Sequence, residues 1–349
     1  MLEEQNLKPN DKKRLDWPDV AKGICIIAVI AGHMGVDSFS RYVYLWHLPV
    51  FFLLAGYFMR PATDKKMIMN KARRLLFPYY VTGLVILVTS MFRTIRDHGP
   101  LFKESIRWIY AILYAAGDRW ETPFYIPSIG AVWFLWALFI ALVITNHFIE
   151  KRYGSIVVAL IGFFGWLFFH IFHVWLPLSV LSGMLCSIYL LIGYHAKKLG
   201  FDPRKSHWTA DVTSFIVLVF GAYIFKGFWL VHAYMGNGWF DFMISLFSSF
   251  FILRLSCFVC DHSGIIKKFF IFCGRNSLMI LCLHIIDFRA IYISRYMDRM
   301  LSAFSLTLPK SAWLILLFMI RVLYVCLGSY LLNKIGPVRR IFFPEKRSS

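Results

Sequence analysis

The segment AKGICIIAVIAGH, residues 21–33, carries Lys22 and His33 in an otherwise apolar run. On a helix, eleven residues make three turns plus about 20° and rise about 16 Å, so these side chains share one face at two depths. His47 follows in LWHLPVFFLLAGYFM, about a turn inside the next apolar block. Two histidines at similar depth on neighbouring helices form an acid/base site, because imidazole titrates near neutrality. A neutral imidazole takes the proton of an attacking hydroxyl, a contribution of about 10²–10⁴ in rate. Asp37, four residues beyond His33, either orients that ring or sits in the outer loop. Lys22 either faces a ligand or snorkels to the interface.

Basic residues gather in KARRLLFPYY, where Lys71, Arg73 and Arg74 stand beside the base of the first helix. Their chemistry suits the phosphates of a cytosolic ligand, and equally a plain topology signal. Arg275 and Asn276 in CGRNSLMILCLH open a later span, where they touch a nucleotide or cap a helix. His284 lies seven residues further in, and Trp133 in AVWFLWALF is placed to stack on a ligand or to sit at the interface. Arg254 and Arg321 fall inside spans and each needs a partner or a wet cavity. The seven cysteines lie in spans or on the predicted cytoplasmic side, which implies no disulfide framework. Cys257 and Cys260 form a lone CxxC without a second pair, so neither a metal nor a bound cofactor is expected.

The elements that position these residues follow from composition. The chain has 349 residues, 59% of them hydrophobic. Ten apolar blocks have the length that crosses about 30 Å of hydrocarbon, near 17–36, 42–59, 75–92, 131–149, 155–174, 176–195, 209–230, 240–260, 277–293 and 311–333. The expected fold is all-α, a polytopic membrane bundle of ten helices in a single domain over 1–349. Residues 1–16 do not read as a removable signal peptide. The predicted cytoplasmic segments hold 24 lysines and arginines against 11 on the other side, which places both termini in the cytoplasm. The net charge of +19 is therefore a topology signal, and nucleic acid is not an expected partner. One long outer segment, 93–130, contains an amphipathic stretch over 101–116, an interfacial seal or a substrate platform. Its deeper insertion would make an eleventh span.

The blocks RLDWPDVAKGICIIAVIAGH, LWHLPVFFLLAGYFM, KARRLLFPYY, AVWFLWALF and CGRNSLMILCLH, in this order, resemble the acyltransferase-3 family of integral-membrane O-acyltransferases, with the fucose 4-O-acetylase-like branch nearest. The resemblance runs over about 14–335. The family's basic-residue-x10-histidine motif falls on Lys22 and His33, its histidine-proline block on His47 and Pro49, its tryptophan block on Trp133 and its late histidine on His284. The resemblance implies acyl transfer, usually acetyl from cytosolic acetyl-CoA, to a hydroxyl of a glycan or related cell-surface acceptor. No fused extracytoplasmic domain is expected, and lysine in place of arginine in the motif removes a bidentate fork.

Within that resemblance the eleven-residue spacing acquires a use. Pantetheine is about 15 Å long, close to the rise from Lys22 to His33. A nucleotide held by Lys22, Lys71, Arg73, Arg74, Arg275 and Asn276 threads its thioester up to His33, the general base. His47 or a backbone donor stabilises the oxyanion, and Trp133, Asp37 and His284 face the acceptor. The rival reading is a secondary transporter or glycan exporter, whose internal repeats and broken helices are weak here. A scaffolding subunit without catalysis is a further alternative.

Overall fold

A computed structural model describes residues 15–61, 65–121, 124–262 and 264–343. In chain order the first helices are α1 (Trp17–Gly32), α2 (Asp37–Tyr44), α3 (His47–Tyr57), α4 (Lys65–Arg96) and α5 (Leu101–Tyr114). There follow α6 (Trp133–Phe148), α7 (Gly154–Phe172), α8 (Val180–Lys198), α9 (Trp208–Tyr223) and α10 (Trp239–His262). The last five are α11 (Gly264–Arg275), α12 (Ser277–Ile286), α13 (Ile293–Ala303), α14 (Lys310–Leu332) and α15 (Gly336–Phe342). An antiparallel hairpin, β1 (Phe228–Trp229) with β2 (Tyr234–Met235), closes one loop.

Each apolar block carries a helix, as it must where no water satisfies backbone N–H and C=O groups. The protein is a helical membrane bundle. Five described helices, α4, α7, α8, α10 and α14, are long and apolar enough to cross alone. Helices α11 and α12 make a sixth if taken as one span, bent by 73° at Asn276. The others are shorter and pack among these.

Two departures from the expected spans have local causes. The block 42–59 is broken between α2 and α3, where Trp46 leaves helical geometry. Pro49 lies in the first turn of α3, where its missing N–H costs nothing, so the helix starts at His47. The segment 261–276, expected as a cytoplasmic connection, contains α11. The side-chain amide of Asn276 donates to the Phe272 carbonyl at 2.8 Å across the bend, and its oxygen accepts from Asn333 at 2.6 Å.

Burial sorts the bundle into an inside and an outside. Twelve of the sixteen residues of α1 are buried, and so is 67% of the most apolar stretch of α8. The corresponding figure is 22% for α7 and for α14, which therefore face lipid. In α5, Phe102, Ile106, Ile109 and Leu113 form an exposed apolar stripe, whereas Trp108, Ala111 and Tyr114 face inward. This is the pattern of a helix lying at the interface.

The inner helices approach to backbone contact. A Cβ on Gly23 would collide with the Phe270 carbonyl, and one on Gly274 with the Asp19 carbonyl, so α1 and α11 touch through paired glycines. Gly56 against Leu190 and Gly193 against Leu53 do the same for α3 and α8. Small residues at crossings are how membrane helices gain packing energy without a hydrophobic drive. Gly56→Ala is expected to cost about 1–3 kcal/mol through overpacking. Thermal unfolding in detergent reads this directly, and an unchanged midpoint would show that α3 and α8 separate freely.

Both arginines inside spans have carboxylate partners. Arg254 makes a two-pronged contact with Asp211 across α9 and α10, at 2.6 and 2.8 Å, and donates to the Pro203 carbonyl. Arg321 on α14 meets Asp287 at 2.9 Å in the π-helical turn Asp287–Ile291 that follows α12.

Candidate active site

One cavity of about 1880 Å³ runs along α1, α3, α6 and α12. On α1 it is lined by Lys22, Ile26, Val29 and His33, whose spacing of four, three and four residues is one helical stripe. Lys22 and His33 therefore open onto the same space from two depths. The rise between them is about 16 Å.

At the Lys22 end the cavity is basic, with Arg60, Lys71, Arg74, Arg275 and Arg339 in its wall beside Asn276 and Asn333. The Asp19 carboxylate, 3% exposed, lies 3.0 Å from the Lys22 ammonium and 3.3 Å from the Arg275 guanidinium. One buried carboxylate thus fixes two cations and leaves this end with a positive excess. Lys71 and Arg74 are three residues apart on α4 and share its cavity face. Arg73 lies about 200° round the helix from Lys71; it is exposed and outside the lining.

Midway stand His33, His47 and Trp133. His33 Nδ1 lies 2.7 Å from the Val29 carbonyl, and His47 Nδ1 lies 2.8 Å from the Val43 carbonyl. A carbonyl only accepts, so each Nδ1 is the protonated nitrogen and each neutral ring keeps its lone pair on Nε2. Both rings have the tautomer a base requires. His33 is half-buried whereas His47 is 4% exposed, so a ligand in the cavity has more of His33 to reach. Trp133 opens α6 and lines the cavity, packed against Gly117.

His284 is fully buried and absent from the lining. It sits behind His33, with ring centroids 5.3 Å apart in an edge-to-face contact, and its own nitrogens have no hydrogen-bond partner among the described residues. Phe288 closes the same cluster, 5.8 Å from His33 and 4.9 Å from His284. Asp37 is the exposed first residue of α2 and does not line the cavity. The group that orients His33 is the Val29 carbonyl.

The opposite end was not assigned by residue from the sequence. Asp118, Arg119 and Trp120 from the long segment line it, with Trp229 and His232 from the hairpin loop and Arg289 beyond α12. The sequence marks the segment 93–130 as either an interfacial seal or a substrate platform, but offers no signal for Arg289 or the hairpin.

A family model described as an acyltransferase domain matches residues 15–332. No curated protein and no solved structure matches the chain.

Proposed function

Because the chain belongs to the acyltransferase-3 family, we propose that it moves an acetyl group from cytosolic acetyl-CoA to a hydroxyl of a cell-surface glycan or related acceptor. Its basic end is the cytoplasmic end, both termini lie there, and the protein resides in the cell membrane. The observation that carries this reading is a single cavity joining a cluster of cations to a histidine whose lone pair is free on Nε2. The resemblance to the fucose 4-O-acetylase-like branch supports a sugar hydroxyl as acceptor.

In this reading the nucleotide phosphates lie among Lys71, Arg74, Arg275 and Lys22, with Asn276 beside them, and pantetheine extends along the α1 stripe. His33 Nε2 takes the acceptor hydroxyl proton as the oxygen attacks the thioester carbonyl. The tetrahedral intermediate then collapses, the C–S bond breaks, and the imidazolium returns the proton to the CoA thiolate. Neutral His47 presents a lone pair, so it orients the hydroxyl; it donates to the oxyanion only when protonated.

Charge removal at the basic end tests donor placement. Charge-assisted hydrogen bonds contribute about 1.5–3 kcal/mol each. The double variant Lys71→Gln/Arg74→Gln, which removes two of them, should therefore raise the acetyl-CoA KM at least about 100-fold. Arg73→Gln, on the outer face of the same helix, should leave it within about twofold. An unchanged KM in the double variant would return both residues to topology alone.

The bent α11–α12 pair and the long cavity also suit an exporter. Membranes containing the protein should release free CoA from acetyl-CoA when a glycan acceptor is added, which an exporter would not do. Mass spectrometry of surface glycans with and without the gene identifies the acetylated unit.

A further inference from the structure

The outer chamber of the cavity is built from residues that the transfer chemistry does not use. His232 is clasped by three aromatic rings, with Trp175, Trp120 and Phe169 at 4.6, 5.0 and 5.9 Å. Its Nε2 lies 3.6 Å from Asp118, too far for a hydrogen bond. Its Nδ1 is buried without any partner among the described residues. Buried imidazole nitrogens normally find a partner, and this one belongs to a side chain in a cavity wall.

The loop bearing Asp118 is preformed rather than slack. Trp120 and Ile126 exchange backbone hydrogen bonds at 3.1 and 2.7 Å, and the Trp120 indole donates to the His173 carbonyl at 3.0 Å. Ser128 ties the Gly117 carbonyl at 2.8 Å and itself accepts from Arg289 at 2.7 Å. Asp118 accepts the Arg119 backbone N–H at 2.8 Å and lines the cavity. Trp229 is 44% exposed at the rim, with Tyr234 stacked alongside it.

The mixture of groups defines the ligand class. One carboxylate, two guanidiniums and an imidazole suit neither a simple anion nor a simple cation. They suit a neutral ring bearing several hydroxyls, each of which donates and accepts, whereas the indole faces suit its apolar C–H surface. Asp118 and Arg289 line the same cavity as His33. A hydroxyl held here shares that cavity with the base.

We infer that this outer chamber is a pyranose-binding subsite, in which Asp118 and His232 take ring hydroxyls and Trp120 and Trp229 flank the ring. The assignment deepens the proposed acyl transfer and rests on it for its role, but not for the binding itself.

The full-length protein in detergent is tested with methyl glycosides of the common neutral hexoses and 6-deoxyhexoses, with linear sorbitol as control. Binding is read by saturation-transfer difference NMR, and acyl transfer by CoA release. At least one methyl pyranoside should bind and accelerate CoA release, and sorbitol should do neither. Asp118→Asn, at a side chain 65% exposed and therefore safe for folding, should raise the KM for that pyranoside at least tenfold, with the acetyl-CoA KM within twofold. Trp229→Ala should raise it several-fold. A pyranoside that binds as well to both variants as to the native protein overturns the inference and leaves acyl transfer standing. Binding by no pyranoside overturns it also. Pyranoside binding that depends on Asp118, with no CoA released under any condition, upholds the subsite and removes the proposed function.

Discussion

His33→Gln is expected to lose at least a hundredfold in turnover while the KM for acetyl-CoA stays within about twofold. The expectation rests on one atom. His33 Nδ1 is committed to the Val29 carbonyl at 2.7 Å, so Nε2 is the only nitrogen left to receive a proton. Glutamine keeps the size and can still donate to that carbonyl, but has no basic nitrogen. General-base catalysis contributes about 10²–10⁴ in rate, and that factor is what should vanish. The donor cations lie about 16 Å away along α1 and are untouched, so the loss belongs to kcat. Native turnover should also fall toward acid pH, since an imidazolium cannot accept a proton, and the residual activity of the variant should lack that limb. Near-native turnover in the Gln variant would remove His33 from this role and make His47, with the same tautomer, the leading base.

The comparison of His33 with its surroundings shows how far a sequence reaches into such a site. Lys22 and His33 could be placed on one stripe because α-helical periodicity is a local property, and their segment has no break. The sequence places the three basic residues of α4 in one cluster. Which of them faces inward depends on how α4 is rotated against its neighbours, and no local pattern records that, so Arg73 could not be separated from Arg74. The family resemblance implies that His284 faces the acceptor, whereas the packing of α12 puts it behind His33.

Longer-range features were less legible still. The bend at Asn276 is supported by Asn333, which is distant in sequence. The lysines of 261–276 made α11 look like a connection, although the segment packs on α1 through Gly23 and Gly274. The outer chamber joins three segments separated by more than fifty residues each, so its residue types had no common motif to betray them. Each of the ten apolar blocks carries helix because lipid forces backbone hydrogen bonds inward wherever the chain goes. Their individual lengths answered to packing instead, as the corner before His47 illustrates.

Arg321 carries the largest expected effect on stability. Arg321 is 6% exposed within a membrane helix, and its guanidinium meets the buried Asp287 at 2.9 Å. It also lies 4.2 Å from the centroid of the Phe288 ring and 3.3 Å from the Met34 sulfur, next to His33. Arg321→Met leaves the Asp287 charge buried and uncompensated, which should cost about 3–5 kcal/mol. Asp287 cannot simply be replaced by leucine, because its other oxygen accepts from the Ile293 N–H at 2.7 Å and closes the π-helical turn. Asparagine removes the charge and keeps an acceptor, so Arg321→Met/Asp287→Asn should recover most of the lost stability in thermal unfolding. Turnover per folded molecule should not recover with it. Phe288 touches His33 edge to face, and without the guanidinium beneath it the base loses a fixed neighbour, so kcat should stay about tenfold low with the donor KM unchanged. A single Arg321→Met variant within about 1 kcal/mol of the native protein would mean that the pair is solvated through the cavity, and the coupling to His33 would then have no structural basis.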